Sequence, residues 1–284
     1  MAGRTLAIVG LGLIGGSLAA SLRRSDDGWR LKAADRRTRA VDYALRRGLI
    51  DEGCASTVEA ARGADLVVLA APVGAIRRLL DELAPSLVPG QIVTDVGSAK
   101  ATIVAHAEAV VPQGASFVGG HPVAGTERSG VESAVDGLFE GRQCVLTPTA
   151  QTPRPALEAV TALWRSVGSE VTYLAPEAHD RLFARLSHLP NLAAFGLVNA
   201  VTSALAPEDV SFGGGSWRDV TRVAQSPPVL WRDVCLENRD AVLTALDEFS
   251  AEMGRIREAV AGGQAVVLEA LFRKAAEGRR EPWK

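Results

Sequence analysis

Short apolar runs alternate with segments of helical periodicity over the first 175 residues. The run at 65–71 is almost continuously apolar, which is typical of a strand covered on both faces of a parallel sheet. We predict strands at 5–9, 30–34, 65–71, 91–96, 117–119, 143–147 and 170–174, with helices near 14–23, 38–47, 74–84, 99–110 and 153–167. This alternation predicts a doubly wound parallel α/β domain over residues 1–175.

The pattern changes near Pro176, where long helical periods replace the short apolar runs. Helices are predicted over roughly 177–205, 227–260 and 262–278, with interruptions at Pro207 and in the glycine-rich run 212–216. We therefore expect an all-α second domain over residues 176–284. Its Ala-rich helices could bury more surface than a segment of this length covers alone, so we expect a homodimer through 177–278.

Composition excludes several classes of partner. The net charge of −2 gives no general attraction to nucleic acid or to an acidic membrane. The three cysteines and four histidines are scattered without metal-ligand spacing, so we expect no metal. No apolar run approaches the length of a bilayer span, and no signal-like segment precedes the first predicted strand. A cytoplasmic protein is expected.

A glycine motif lies between the first predicted strand and the first helix. It places Gly10, Gly12 and Gly15 in G-x-G-x-x-G spacing, with Leu13 and Ile14 between the last two glycines. In this context the first glycine makes a tight turn, the second admits a pyrophosphate, and the third allows the helix to pack on the strand. The helix N-terminus adds free N–H groups for the phosphates. The motif predicts a dinucleotide site.

An acidic residue strengthens this prediction. Asp35 ends the second predicted strand, 20 residues after Gly15, where a carboxylate can bind both ribose hydroxyls and repel a 2′-phosphate. This favours NAD, although the neighbouring Arg36 and Arg37 could accommodate the phosphate of NADP. Ala71 and Pro72, which follow the strand at 65–71, are assigned to the same cofactor site.

A histidine follows another predicted strand. His121 lies in the segment 119–127 (GGHPVAGTE), where the carboxyl ends of parallel strands open ligand crevices. We expect the two glycines before it to let the backbone approach a ligand closely. With few histidines in the chain, His121 is the leading candidate for an acid–base role.

Further polar motifs accompany these two sites. They are 95–100 (DVGSAK), 187–191 (SHLPN), 213–222 (GGGSWRDVTR) and 226–233 (SPPVLWRD). Together with the glycine motif and 119–127, they make the chain from about 5 to 245 resemble the prephenate dehydrogenase family of tyrosine biosynthesis. These enzymes remove hydride from the carbinol carbon of a cyclohexadienol, and the loss of CO2 makes the ring aromatic.

The resemblance implies roles for individual residues. His121 would be the base that takes the hydroxyl proton, and Ser98 would bind the histidine, the substrate hydroxyl and the cofactor. Arg222 would pair with the ring carboxylate, because a planar guanidinium suits that task, and Asp219 could orient it. The remaining substrate contacts would come from His188, Asn191, Gly214, Trp231 and His179.

Structural alternatives accompany these roles. His188 could be a hydrogen-bonded core histidine, His179 could form a helix-start pair with Asp180, and Ser98 could cap a helix. Arg218 is the second candidate after Arg222 for the cationic contact, and it could instead be a solvated or intersubunit charge. Asn191 departs from the family, which often has a second histidine there, so the choice between prephenate and arogenate stays open.

Two other functions compete with this prediction. A β-hydroxyacid dehydrogenase would share the architecture but use a lysine on the long interdomain helix, and residues 177–205 contain no lysine. A non-catalytic NAD-binding regulator would not need Ser98, His121 and Arg222 together.

Overall fold

A computed structural model of the chain describes residues 4–25, 28–125 and 130–280. Thr126 and Glu127 of the histidine motif lie outside the described residues. The strands are β1 (Thr5–Val9), β2 (Arg30–Ala34), β3 (Glu52–Gly53), β4 (Leu66–Leu69), β5 (Ile92–Asp95), β6 (Ser116–Pro122), β7 (Gln143–Thr147) and β8 (Glu170–Tyr173). The intervening helices are α1 (Leu13–Ser25), α2 (Thr38–Arg46), α3 (Thr57–Ala61), α4 (Val73–Leu83), α5 (Ala101–Val110) and α6 (Arg154–Ser166).

The eight strands form one sheet in the order β3-β2-β1-β4-β5-β6-β7-β8. Strands β1 to β6 pair in parallel, so their carboxyl ends meet at one edge. The expected parallel α/β domain is confirmed, with two additions. The short β3 was not predicted, and β7 runs antiparallel to β6 while pairing in parallel with β8.

Both faces of the sheet are covered, as the continuous apolar strands require. In β1, Leu6 and Ile8 belong to one buried cluster, and Ala7 and Val9 belong to the other. Trp164 of α6 lies in the first cluster, whereas the second contains residues of α3, α4 and α5. This alternation along β1 fixes the register of the strand, because a shift of one residue would exchange its two faces.

The rest of the chain is helical. Its helices are α7 (Pro176–Phe183), α8 (Leu189–Ala204), α9 (Pro207–Val210), α10 (Gly215–Thr221), α11 (Pro228–Glu237), α12 (Arg239–Ala261) and α13 (Ala265–Arg280). A π-helical turn at Ala184–His188 joins α7 to α8, and a 3₁₀ turn at Arg222–Gln225 follows α10.

Two details differ from the helices expected here. The helix expected over 227–260 is interrupted, because α11 ends at Glu237 and Asn238 has a non-helical backbone (φ −113°, ψ 36°). The glycine run 212–216 was expected to interrupt the helices. Its last two residues are instead helical, because α10 begins at Gly215.

Internal contacts divide the chain into two compact units, residues 1–239 and 240–284. The domain boundary expected at 175–176, which follows the change from mixed to helical structure, stays a prediction. Within the described ranges, no helix combines the length and apolar character needed to cross a membrane.

Candidate active site

The turn after β1 is built by two close backbone approaches. Gly10 has φ +103°, and a Cβ on it would lie 2.4 Å from the carbonyl oxygen of Ala70. A Cβ on Gly15 would lie 2.0 Å from the carbonyl oxygen of Gly10. Both positions therefore exclude a side chain, which agrees with the turn and packing roles expected of the first and third glycines.

Gly12 has a different environment. A Cβ built on Gly12 meets no atom within 4 Å, although Gly12 lies directly before the first turn of α1. The helix N-terminus that follows begins with Leu13 and Ile14, and the first N–H groups of an α-helix have no partner within the helix. The residues present therefore fit a dinucleotide pyrophosphate at Gly12, where a larger side chain would fill the space.

Asp35 lies beside the same turn. Its Oδ2 accepts a hydrogen bond from the Leu11 amide at 2.7 Å, and its Oδ1 accepts one from the Arg37 amide at 2.8 Å. The Asp35 side chain is 9% exposed, and the side chain of Arg37 is 42% exposed. The Arg37 Nε also lies 3.4 Å from Asp35 Oδ1, whereas Oδ2 keeps a further lone pair that can accept a hydrogen bond from a ribose hydroxyl.

His121 does not follow its strand, as the sequence suggested, but lies inside β6. The strand continues to Pro122, and His121 pairs with Val145 of β7 in the antiparallel part of the sheet. The packing of β6 on β7 already requires glycine at position 119, because a Cβ there would lie 2.3 Å from Thr147 Oγ1. A close approach of this backbone to a ligand stays a prediction.

The His121 ring is the end of a buried hydrogen-bonded chain. Its Nδ1 lies 2.8 Å from Nε2 of His179, and Nδ1 of His179 lies 2.8 Å from Oδ1 of Asp180. All three residues are buried. Phe183, one helical turn after His179, packs its ring 4.6 Å from that of His121. His179 thus contacts the candidate base rather than open solvent.

Asp180 is held in place by the start of α5. Its two carboxylate oxygens accept hydrogen bonds from the backbone amides of Lys100 at 2.7 Å and of Ala101 at 2.8 Å. An anion at this position satisfies two helix N-terminal donors and interacts favourably with the helix dipole. The His179–Asp180 pair proposed as a structural alternative is therefore present, and it also reaches His121.

A buried ion pair lies next to this chain. Lys100 and Asp95 are both fully buried and pair directly, and Lys100 Nζ also donates to the Gly120 carbonyl at 2.9 Å. Asp95 accepts hydrogen bonds from the Gly97 and Gly120 amides. Burial lowers the pKa of Lys100, whereas the neighbouring Asp95 opposes this change. These contacts fix the backbone of β6 immediately before His121.

The electrostatic environment keeps the histidines neutral. Burial lowers the pKa of His121 well below its ordinary value, and the nearby His179 and Lys100 lower it further. Burial also lowers the pKa of His179, although the hydrogen bond to Asp180 opposes the change. A neutral imidazole is the form that can accept a proton.

The π-helical turn brings in a further histidine. Pro190 lacks the N–H that would close an α-helical turn on residue 186, and its ring disfavours the regular turn, so the helix widens before it. His188, at the end of this turn, accepts a hydrogen bond at Nδ1 from Asn238 Nδ2, 3.2 Å away. Burial lowers the pKa of His188 to about 4, against the raising effect of Asp180.

His188 and Trp231 present two buried donors. Because Nδ1 of His188 accepts from Asn238, its Nε2 carries the hydrogen. Among the described residues, neither His188 Nε2 nor Trp231 Nε1 has a well-formed hydrogen bond. The two rings are 6.1 Å apart. Buried donors are normally satisfied, so this pair fits a ligand that supplies an acceptor oxygen.

Ser98 lies within this group of residues. It is partly buried in the segment between β5 and α5, and a contact of its backbone with the His188 ring raises the pKa of that histidine slightly, against the larger effect of burial. The hydrogen bond described for the His121 ring goes to His179, so a bond from Ser98 to His121 stays a prediction.

The other expected substrate residues lie on neighbouring elements. Asn191, in the first turn of α8, donates to the Ser187 carbonyl at 3.0 Å. The segment 214–225 packs against α8 and carries the exposed Gly214, Asp219 and Arg222. Their roles in binding substrate stay predictions. Within the described ranges, no group of three or more His, Cys, Asp or Glu side chains is placed to hold a metal.

Phe183 and Asn238 of the cluster were not assigned a role from the sequence. Asp180 was expected only as a structural partner of His179, and its link to His121 was not foreseen. Asn238 carried no signal, since its contact with His188 joins residues 50 positions apart.

Two family models match the chain. One is described as "Prephenate dehydrogenase, nucleotide-binding domain" and matches residues 18–173. The other is described as "Prephenate dehydrogenase, dimerization domain" and matches residues 175–274. Together they cover most of the mixed α/β part and most of the helical part.

Individual proteins agree with these models. Prephenate dehydrogenase of Bacillus subtilis (strain 168) is 36% identical over 97% of this chain and 75% of its own length. The crystal structure of prephenate dehydrogenase from A. aeolicus with hydroxyphenyl propionate and NAD+ matches with a TM-score of 0.93 and 36% identity, over 99% of both chains. Synechocystis arogenate dehydrogenase matches with a TM-score of 0.82 and 30% identity, over 97% of this chain and 98% of that one.

Proposed function

Since this chain belongs to the prephenate dehydrogenase family, we propose that it oxidises prephenate with NAD to 4-hydroxyphenylpyruvate, CO2 and NADH. The observation that carries the proposal is the buried, neutral His121. It lies near the carboxyl end of β6, and the glycine turn lies at the carboxyl end of the parallel strand β1. The A. aeolicus relative, whose crystal structure contains NAD+, supports the choice of cofactor. The reaction would serve tyrosine biosynthesis.

The Asp35 carboxylate and the open turn at Gly12 are the residues that would hold the dinucleotide. NAD, when bound, supplies the acceptor for the hydride that leaves the carbinol carbon. Asp35 would bind the ribose hydroxyls, and the α1 N-terminus would bind the pyrophosphate through its free amides.

His121 takes the proton of the substrate hydroxyl. The hydroxyl becomes acidic as hydride leaves its carbon, so an imidazole of low pKa can act as the acceptor. Loss of the ring carboxylate as CO2 leaves its electron pair in the ring, which becomes a phenolate. The proton held by His121 can then return to that oxygen, so the proton balance of the step closes within the site.

The carboxylates of prephenate require donors. His188 Nε2 and Trp231 Nε1 supply two buried N–H groups, and Arg222 would supply a bidentate cation on the segment that packs against α8. We assign His188 to substrate binding because its Nε2 makes no well-formed hydrogen bond within the described residues and its ring lies beside that of Trp231. Asp219 would orient Arg222, and Gly214 would bring the backbone close to the substrate side chain.

Arogenate is the alternative substrate. The similarity of this chain to Synechocystis arogenate dehydrogenase supports this alternative. Arogenate carries an ammonium group where prephenate has a ketone. Asn191, at the position where the family often has a histidine, has an amide that could accept from an ammonium or donate to a ketone. Its bond to the Ser187 carbonyl uses one of its two N–H groups.

We also propose that the enzyme is a homodimer through residues 177–278. The match of 175–274 to a model described as a dimerization domain supports this. Light scattering at micromolar concentration tests it, and a monomeric mass would reject it.

The direct test of the function is NADH formation at 340 nm with prephenate and with arogenate, each offered NAD and NADP. Turnover of prephenate with NAD is the expected result. Faster turnover of arogenate would transfer the assignment to that substrate. Absence of turnover in all four mixtures, with NAD still bound, would reject the dehydrogenase function and favour a non-catalytic regulator.

A further inference from the structure

We propose that Asp180 is a positioning residue that sets the tautomers of both active-site histidines, acting on His121 through His179 and on His188 through Asn238. The proposal rests on the proposed function for its catalytic meaning. The hydrogen-bonding pattern can be measured without any turnover.

The first arm begins at the carboxylate. An ionised carboxylate only accepts hydrogen bonds, so Nδ1 of His179 must donate to Asp180 Oδ1 across 2.8 Å. Neutral His179 then carries no hydrogen on Nε2, which must accept. The 2.8 Å contact to His121 is therefore a bond donated by Nδ1 of His121. His121 is left with an unprotonated Nε2, the nitrogen that can accept a proton from substrate.

The reverse arrangement is unfavourable at every step. If His121 carried its hydrogen on Nε2, its Nδ1 lone pair would face the lone pair of His179 Nε2. His179 could relieve this repulsion only by protonating, which its burial disfavours. The carboxylate thus determines, two rings away, which His121 nitrogen can act as base.

The same chain stabilises the charge that proton transfer creates. When Nε2 of His121 takes a proton, the new imidazolium keeps its Nδ1–H bond to His179, and the Asp180 carboxylate lies behind His179. A fixed carboxylate that orients an imidazole and favours its cationic form is the general logic of hydrolytic triads. Here a second histidine lies between the carboxylate and the base.

The second arm starts at the main chain of Asp180. Its carbonyl oxygen accepts a hydrogen bond at 2.9 Å from Asn238 Nδ2, which fixes the orientation of that amide, since two facing oxygens would repel. The same Nδ2 group donates to Nδ1 of His188. His188 must then carry its hydrogen on Nε2, and this is the buried donor that we assign to substrate.

Asp180 also has a structural role, which must be separated from its effect on the histidines. Asp180 caps α5 through the Lys100 and Ala101 amides, and replacing it would disturb that helix whatever else it does. The decisive variant is therefore at His179, which leaves the capping carboxylate in place. In His179→Gln the amide can present either its oxygen or its NH2 group to His121 Nδ1, so the carboxylate no longer determines the tautomer of His121 or stabilises its cation through the ring.

The experiment reads the tautomers by ¹⁵N NMR on histidine-labelled protein near pH 7.5. The chain has four histidines, and single substitutions assign their signals. We expect the Nδ1–H form for His121 and His179 and the Nε2–H form for His188. In Asn238→Asp, where the carboxylate can only accept, His188 should change to the Nδ1–H form or protonate. An Nε2–H signal for His121 in the wild-type protein would overturn the proposal.

Steady-state kinetics of His179→Gln complete the test. We expect kcat to fall about 10- to 100-fold, less than for loss of the base itself, with the KM for substrate and the Kd for NAD within about twofold of wild type. The matched control is His106→Gln, because His106 also pairs with a carboxylate, Asp81 at 2.7 Å, but on the surface. This control should keep its wild-type kcat.

The outcomes separate the two proposals. A wild-type kcat in His179→Gln overturns the positioning role even if the enzyme oxidises prephenate. Absence of turnover in the wild-type enzyme rejects the proposed function, and the tautomers then still decide whether Asp180 sets the two rings.

Discussion

The amide of Leu11 donates a 2.7 Å hydrogen bond to the carboxylate of Asp35, which ties the glycine turn after β1 to the end of β2. The carboxylate that would bind the ribose is thereby held in a fixed place beside the turn that would bind the pyrophosphate. The two parts of the dinucleotide site are therefore pre-positioned by one contact. Arg36 and Arg37 lie exposed next to it.

Replacing this carboxylate should change cofactor selectivity. In Asp35→Ser the repulsion of a 2′-phosphate is lost, and the neighbouring guanidiniums remain to bind it. We expect the ratio of kcat/KM for NAD over that for NADP to fall about tenfold or more, a change of about 1.4 kcal/mol. The control is Asp65→Asn, because Asp65 accepts from the Thr5 amide at the opposite end of β1. An unchanged ratio in Asp35→Ser would show that Asp35 does not contact the ribose.

Substitutions at Gly12 and Gly15 should have different effects, the first on NAD affinity and the second on the stability of the fold. Gly12→Val places a side chain in the open space before α1, so we expect NAD affinity to fall at least tenfold with the melting temperature nearly unchanged. Gly15→Val forces a Cβ against the Gly10 carbonyl, so this variant should be strongly destabilised. Calorimetry of binding and thermal melting measure the two effects. Equal NAD binding by Gly12→Val and wild type would exclude the turn as the pyrophosphate site.

Arg222 offers a test of the substrate clamp. Removing the guanidinium leaves a substrate carboxylate without its partner, which costs about 2–4 kcal/mol in binding where bound substrate shields the pair from water. Arg222→Ala should therefore raise the KM for prephenate strongly and leave the Kd for NAD unchanged. Arg218→Ala, four residues earlier on α10, is the matched control. A larger effect at Arg218 would transfer the carboxylate contact to that residue.

The buried histidines predict how stability depends on pH. The folded-state pKa of His188 is about 4, below its ordinary value of 6.5, so the unfolded chain binds more protons between these values. Stability is therefore full above pH 6.5 and is lost as the pH falls toward 4. His188 alone should lower the free energy of unfolding by about 2 kcal/mol between pH 7.5 and pH 5.

Urea unfolding at both pH values, at one protein concentration, measures this loss. His188→Gln should have a smaller difference between the two pH values than wild type. The surface variant His106→Gln should retain the wild-type difference. Equal stability of the wild-type protein at pH 5 and pH 7.5 would contradict the burial of neutral histidines.

Local pattern sufficed for most of the fold. β1, β2 and β7 have the predicted limits; β1 and β7 are short, largely apolar runs, and β2 alternates polar Arg30 and Lys32 with buried Leu31 and Ala33. The glycine turn was equally predictable, since its spacing follows from backbone approach alone. By contrast, β3 has two residues and no apolar pattern, and the break at Asn238 follows from no proline or glycine.

The histidine cluster could be predicted only in part. His121, His179 and His188 were recognised from their motifs, but their mutual arrangement depends on contacts across 50 or more positions. His121 lies inside β6 because this strand continues past its parallel pairing with β5 and pairs with β7 in the antiparallel direction. The alternation of strands and helices along the sequence predicts only parallel pairing. Pairing of this kind is a property of the folded sheet and has no local signal.

The central claim is that His121 is the base of an NAD-dependent oxidation, and His121→Asn tests it most directly. The measurement is kcat for NADH formation from prephenate, together with the Kd for NAD by calorimetry. The account predicts a fall in kcat of about 10²–10⁴-fold with NAD affinity little changed. A variant with wild-type kcat would contradict the mechanism.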